Sequence, residues 1–243
     1  MVELTEAVLH DSAMNTGSWR ELLGRRYLGT AAVLAGGVAL YATNEFLTIS
    51  LLPSTIHDIG GERFYAWVTT LYLVGSVIAA AAANAVLVRV GSRVAYLMGL
   101  LSFGLGTLVC ALAPQMEVLL IGRSLQGMGG GLLAGLGWAL INAVLPSWLW
   151  TRASGLVSAM WGIGTLVGPA AGGLFAQFGI WRWAFGLMAM LTVAMGVAVS
   201  MVLPAGSSGH RGEPMKIPVR SLLLLGGAAL LGWFGAALSM RQH

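Results

Sequence analysis

The sequence predicts an all-α, polytopic membrane protein. Of its 243 residues 57% are hydrophobic and only 9% charged, whereas a surface facing water takes roughly a quarter of its residues from the charged set. The apolar residues also gather into runs of about 20, the length that crosses a hydrocarbon layer ~30 Å thick. Short connections between the runs make successive helices antiparallel neighbours.

Seven runs are predicted as spans, at 27–51, 65–87, 95–114, 117–143, 154–178, 183–203 and 219–239. Residues 1–26 precede them as a cytoplasmic segment. Within it, SWRELLGRR sets Ser18 and Glu21 at capping-box spacing. Trp19, Leu22 and Leu23 are directed at lipid and Arg20, Arg25 and Arg26 at headgroups, the pattern of a short interfacial helix. Glu3, Glu6, Asp11 and Glu21 break the basic, apolar, small order of a cleaved signal, so the first span is expected to act as an uncleaved one. Pro53, Gly60 and Gly61 read as the first connection, Gly91 as the second and Pro114 as the third. Only 204–220 has linker composition, and the domains are then 27–203 as one six-helix domain, 204–218 as a cytoplasmic central loop and 219–239 as a seventh span.

Short cytoplasmic loops collect Lys and Arg. With the N-terminus inside, the cytoplasmic face receives Arg20, Arg25, Arg26, Arg89, Arg93, Arg152, Arg211, Lys216 and Arg220, and the outer face only Arg63, Arg182 and Arg241. The net charge of +4 is therefore a topological signal, and no basic patch is large enough to imply a nucleic-acid partner. The expected location is the inner or plasma membrane, with the lipid bilayer as first partner. No enzyme constellation is present: His10, His57, His210 and His243 fall in termini or loops, no metal site is expected, and no cofactor. The glycine-rich runs lack the Lys-Ser/Thr pair of a phosphate loop. A retinal receptor would need a lysine in its last helix, but the only lysine, Lys216, lies in the linker.

Small residues four apart let helix backbones approach in lipid. Gly127, Gly131 and Gly135 form one such stripe on the fourth span, and Gly164, Gly168 and Gly172 another on the fifth, which Pro169 should bend. Spacing alone leaves two readings open: two tightly packed structural helices, or a helix that rocks against its neighbour.

Ionisable residues inside spans are functional candidates. Glu45 lies about 12 Å before Pro53 and Arg123 about 13.5 Å beyond Pro114 at 1.5 Å per residue, so the two are predicted at matching depth. Against this stand an arginine that snorkels to the headgroups and a glutamate capped near the interface. Tyr41 and Thr48 share the face of Glu45. Trp148, Trp150, Trp181 and Trp183 fall at span ends, as in an interfacial belt; Trp138, Trp161 and Trp233 lie deeper, where they line a cavity or meet lipid.

Three stretches together resemble the drug:proton antiporters of the major facilitator superfamily. GIGTLVGPAAGG matches a fifth-helix motif GxxxGPxxGG at Gly164, Gly168, Pro169, Gly172 and Gly173. LLIGRSLQGMGGG is similar to a fourth-helix motif RxxQGxG at Arg123, Gln126, Gly127 and Gly129. WRWAF, 181–185, looks like the external turn before the sixth helix. The resemblance covers about 27–204. It implies two six-helix domains with alternating access between them, three-helix inverted repeats within each, protons and a small hydrophobic or cationic substrate as partners, and efflux as the activity. It also implies that Glu45 and Arg123 line a central cavity. Glu45, Asn44 and Arg123 are then the proton-coupling candidates, Asn44 standing where some relatives carry an aspartate. Tyr41, Thr48, Gln126, Trp138 and Trp161 are the substrate-cavity candidates.

Two departures accompany the resemblance. The loop motif GxLaDrxGRrk survives as Arg89, Gly91 and Arg93, the candidate gating loop, but Asn84 replaces its first glycine and Val88 its aspartate. Seven spans also supply only one domain and one further helix. The chain is expected to be a fragment or truncated product, or to need a second chain that supplies the C-terminal domain; a non-transporting membrane remnant is the alternative.

Overall fold

The computed structural model describes residues 17–203. The predicted central loop at 204–218, the seventh span at 219–239 and Trp233 lie outside the described residues. Six long helices follow one another: α1 (Leu28–Ile59), α2 (Tyr65–Val90), α3 (Ser92–Ala111), α4 (Met116–Val144), α5 (Trp150–Gln177) and α6 (Trp181–Val202). Each is long and apolar enough to cross a membrane, and the described residues contain no strand. Only helices satisfy every backbone group within one segment in lipid, so composition alone dictated this architecture.

The predicted boundaries shift where a local signal was over-read. Pro53 does not end the first span; it lies inside α1, which runs 32 residues to Gly60. A helix that stopped at 51 would leave its last carbonyls unsatisfied close to lipid, a larger loss than the one bond that proline removes. WRWAF is the first turn of α6 rather than a turn before it: Gly179, at φ 68°, ends α5, and the Trp183 amide donates to the Ile180 carbonyl at 2.9 Å to begin α6. Between α2 and α3 the connection is Gly91 alone, at φ 82°, so Arg89 belongs to the last turn of α2 and Arg93 to the first of α3. The interfacial helix covers only Trp19–Leu22, with the Ser18 hydroxyl accepting from the Glu21 amide. Leu22 is buried in protein rather than in lipid, and the Glu21 carboxylate accepts from the Trp148 indole instead of closing the capping box. Trp181, predicted as a belt residue, is likewise buried, with its indole donating to Asp58.

Helix α4 packs on α2, α3 and α1, while α1 packs on α5, α6 and α4, and α3 meets α6. Exchanging α1 with α4, α2 with α5 and α3 with α6 swaps α2–α4 with α1–α5 and α3–α4 with α1–α6, and returns α1–α4 and α3–α6 to themselves. Because helices three apart in an up-down chain run in opposite directions, this is the pairing pattern of two inverted three-helix units, as the resemblance implied. Glycine lines the α2–α4 and α1–α5 seams. A Cβ on Gly127 would stand 2.2 Å from the Tyr72 carbonyl oxygen and one on Gly131 2.1 Å from that of Ser76, both on α2. On α5, Cβ atoms at Gly164, Gly168 and Gly172 would meet α1 at Ala42, Phe46 and Leu47 within 2.6 to 2.7 Å.

Gly131→Ala is expected to lower stability by about 1–3 kcal/mol through overpacking against backbone that cannot yield. Gly162→Ala, where a Cβ meets nothing within 4 Å, should be neutral or stabilising by up to about 1 kcal/mol. Thermal unfolding of the purified chain in detergent reads both, and a stable Gly131→Ala protein would refute the seam.

Candidate functional site

The middle of the bundle holds a polar cluster sealed from lipid. Arg123 on α4 is fully buried (0% exposed) and Glu45 on α1 nearly so (6%). The Arg123 Nη2 donates to the Glu45 Oε2 at 2.8 Å. Its Nε donates to the Val68 carbonyl of α2 at 3.2 Å, and its Nη1 to the Thr48 hydroxyl at 3.2 Å and the Gln126 Oε1 at 3.0 Å. The guanidinium carbon lies 4.0 Å from the centre of the Tyr72 ring, a cation–π contact strengthened by the dry surroundings. Arg123 therefore does not snorkel. It is held by three helices and neutralised by one carboxylate.

Two further layers surround this pair. The Gln126 Nε2 donates to the Thr107 hydroxyl of α3 at 2.9 Å and to the Asn44 Oδ1 at 3.3 Å, and the Cys110 thiol stands 3.5 Å from the Gln126 Oε1. The Asn44 Nδ2 is buried without a hydrogen-bond partner. On the other side, the Tyr41 ring stacks on Tyr72 at 5.5 Å and meets Trp161 of α5 edge-on at 5.3 Å. Tyr41 shares a hydrogen bond with Ser76 at 3.2 Å, and the Tyr72 hydroxyl donates to the Tyr41 carbonyl at 2.9 Å.

Seven residues singled out in the sequence, Tyr41, Asn44, Glu45, Thr48, Arg123, Gln126 and Trp161, thus meet in one cluster. Gln126 and Thr48, predicted to line a cavity, are instead buried and hydrogen-bonded within the domain; only Trp161, 37% exposed, presents a broad surface. Trp138 is 45% exposed and lies 15 residues along α4 from Arg123, about 22 Å, so it does not join the cluster. The gating-loop residues Arg89, Gly91 and Arg93 sit at the end of the bundle, and neither arginine has an ion-pair partner among the described residues. Sequence reading missed Tyr72, Ser76, Thr107 and Cys110. The available signal was polar groups one turn apart on otherwise apolar helices, Tyr72 with Ser76 and Thr107 with Cys110.

The depth estimate needs correction too. Counted from the true ends of α1 and α4, Glu45 is about 21 Å and Arg123 about 10.5 Å from the helix terminus. They meet because α1 projects further than α4. Distance to a proline measured the loop, not the membrane.

Six apolar helices closed around a buried ion pair define a multi-pass membrane protein with a charged interior. The chain belongs to the Major Facilitator Superfamily, whose family model matches residues 34–241. It is 68% identical over 225 residues, 90% of its length, to a probable multidrug-efflux transporter of Mycobacterium tuberculosis, of which those residues make up 48%. A multidrug transporter protein of Bacillus subtilis is 29% identical over 60% of this chain and 28% of its own. The chain spans about half the length of that mycobacterial relative. Among solved structures, the inward-open xylose transporter of E. coli superposes with a TM-score of 0.63 over 84% of this chain and 56% of its own, at 13% identity, a likeness of fold.

Removing one partner of a buried ion pair strands the other, typically at about 3–5 kcal/mol. Arg123→Ala strands Glu45, Gln126 and the Val68 carbonyl together and is expected to destabilise the purified chain by that amount, while Glu45→Gln, which keeps an acceptor oxygen toward Arg123, should cost less. Equal thermal midpoints for the two variants would contradict this ordering.

Proposed function

We propose that this chain forms the N-terminal half of a secondary active transporter that exports small hydrophobic or cationic compounds in exchange for protons. The observation that carries the reading is the Glu45–Arg123 pair. A carboxylate held by one arginine, with a small exposed area of its own, can trade that partner for a proton or for a cation arriving from the aromatic side, where Tyr41 and Trp161 lie. Proton and cation compete for the same oxygen atoms, which is the exchange an antiporter needs. The relatives' names support the substrate class.

Orientation follows from charge. At one end of the bundle Arg63 pairs with Glu117 and Arg182 with Asp58. At the other, Arg20, Arg25, Arg26, Arg89, Arg93 and Arg152 make no ion pair among the described residues, and this excess positive end is assigned to the cytoplasm, with the N-terminus inside. The six described helices form one body, and alternating access requires a second to move against. Transport therefore requires the C-terminal domain that the relatives' length provides, on the same or a second chain.

Two measurements test the reading. Proteoliposomes holding only this chain should show no pH-driven accumulation of tetraphenylphosphonium; robust accumulation would overturn the need for a second domain. In detergent, the chain should bind tetraphenylphosphonium more weakly as the pH falls, because protons compete for Glu45, and Glu45→Gln should abolish that dependence. Superimposable curves for wild type and Glu45→Gln would move the coupling site elsewhere.

A further inference from the structure

We infer that Thr107, on α3 and out of contact with the ion pair, is a positioning residue that fixes Arg123 toward Glu45 through Gln126; the inference rests on the exchange at Glu45 proposed above. The hydrogen bonds run in one direction. The Thr107 hydroxyl donates to the Phe103 carbonyl at 2.7 Å, so its only hydrogen is committed to its own helix and its oxygen is left to accept. The Gln126 Nε2 fills that role at 2.9 Å. With its nitrogen turned to α3, the amide must turn its oxygen to Arg123, where Oε1 accepts from Nη1 at 3.0 Å, and Nη2 is presented to Glu45 at 2.8 Å. A flipped amide would set its NH2 group against the guanidinium and its oxygen against a hydroxyl with no hydrogen to give.

Asn44 is the weaker director, since it accepts from the same Nε2 only at the longer 3.3 Å. Thr107 is pinned by helix α3 and is fully buried. The Cys110 thiol, beside the same oxygen, can follow the amide but has no acceptor site strong enough to direct it. The titratable groups around Glu45 are Arg123 from α4, Tyr72 from α2, Tyr41 on its own helix and, behind Gln126, Cys110 from α3. Of these only Arg123 carries charge, so the setting of its guanidinium governs how Glu45 exchanges a proton.

The third helix thus enters the site without touching it. While α3 stays seated on α4, Gln126 occupies one of the two acceptor positions at Nη1, the Thr48 hydroxyl taking the other. If α3 shifts, or the Thr107 oxygen is removed, that position opens and Arg123 loses one of the four hydrogen bonds that set its guanidinium.

The test is the pH dependence of tetraphenylphosphonium binding to the purified chain in detergent, comparing wild type, Thr107→Val, Thr107→Ser and Glu45→Gln. Thr107→Val keeps the shape and deletes the acceptor; it should move the pH midpoint by about half a unit, a factor of about three, the worth of one buried neutral hydrogen bond. Thr107→Ser should restore the wild-type midpoint. If Thr107→Val folds and titrates like wild type, the positioning role is wrong although the exchange at Glu45 stands. If Glu45→Gln also matches wild type, the exchange itself fails and this role with it. Should Thr107→Val not fold, Thr107→Ala removes the same oxygen without adding a methyl group beside the amide, and the same midpoint shift is required of it.

Discussion

Helix α4 must lie against α2 and α3 at once, close enough to exclude water and lipid from an arginine, and glycine is what permits it. On one side Gly127 and Gly131 rest on the α2 backbone at Tyr72 and Ser76; on another Gly129 rests on Phe103 and Gly122 faces Gly106 and Cys110 of α3. The approach to α2 delivers the Val68 carbonyl and the Tyr72 ring to Arg123, and the approach to α3 delivers Thr107 and Cys110 to Gln126. A side chain at any of these glycines would push a helix outward and withdraw the groups it supplies. An unsolvated guanidinium that loses its acceptors costs more than a packing defect. The RxxQGxG pattern is therefore one device: the glycines bring up the partners that its arginine and glutamine require.

Six helices were legible in the sequence because lipid leaves the backbone few options, and an apolar run of sufficient length has to be a helix. Their ends were less legible, since Pro53 and WRWAF carry turn signals that the surroundings override. Glu45 and Arg123 stood out because charge is rare in such runs. Thr107 and Tyr72 did not: a threonine hydroxyl in an apolar helix commonly returns its hydrogen to its own backbone, as Thr107 does, and nothing local tells whether its oxygen also accepts from another helix, while Tyr72 donates to the Tyr41 carbonyl of α1, a partner no local pattern reveals. Gln126 was placed in a cavity together with the motif that carries it, yet which way its helix face turns is decided by α3, whose register against α4 no single run reveals.

The two three-helix units share a pairing pattern but carry different loads. In the α2–α4 seam the glycines sit on α4, and in the matching α1–α5 seam they sit on α5. The ends differ as well. Where α6 begins, Asp58 from the last turn of α1 takes hydrogen bonds from Trp181 and Arg182. Where α3 begins, at the matching place in the other unit, the last turn of α4 offers Asn142 and Ala143, Val88 of α2 stands in place of an acid, and Arg93 has no carboxylate partner among the described residues. The repeat sets which helices touch, and local substitutions decide whether a contact is charged.

The glycine-rich stretch of α5 has two faces with separate consequences. Gly164, Gly168 and Gly172 are buried on α1, whereas Leu166, Pro169 and Ala170 point away from the domain; the Ser50 hydroxyl of α1 also reaches round to the Pro169 carbonyl at 3.3 Å. A seam of backbone on backbone has no low-energy position between one glycine and the next, four residues or about 6 Å along the axis. Sliding of α5 on α1 is therefore disfavoured, and the stripe is a weld. Its contacts on α1, at Ala42, Thr43, Phe46 and Leu47, bracket Asn44 and Glu45. The poor helix formers of this stretch are therefore explained by the close approach of α5 to the segment of α1 that holds the carboxylate, an approach that any larger side chain at Gly164, Gly168 or Gly172 would prevent.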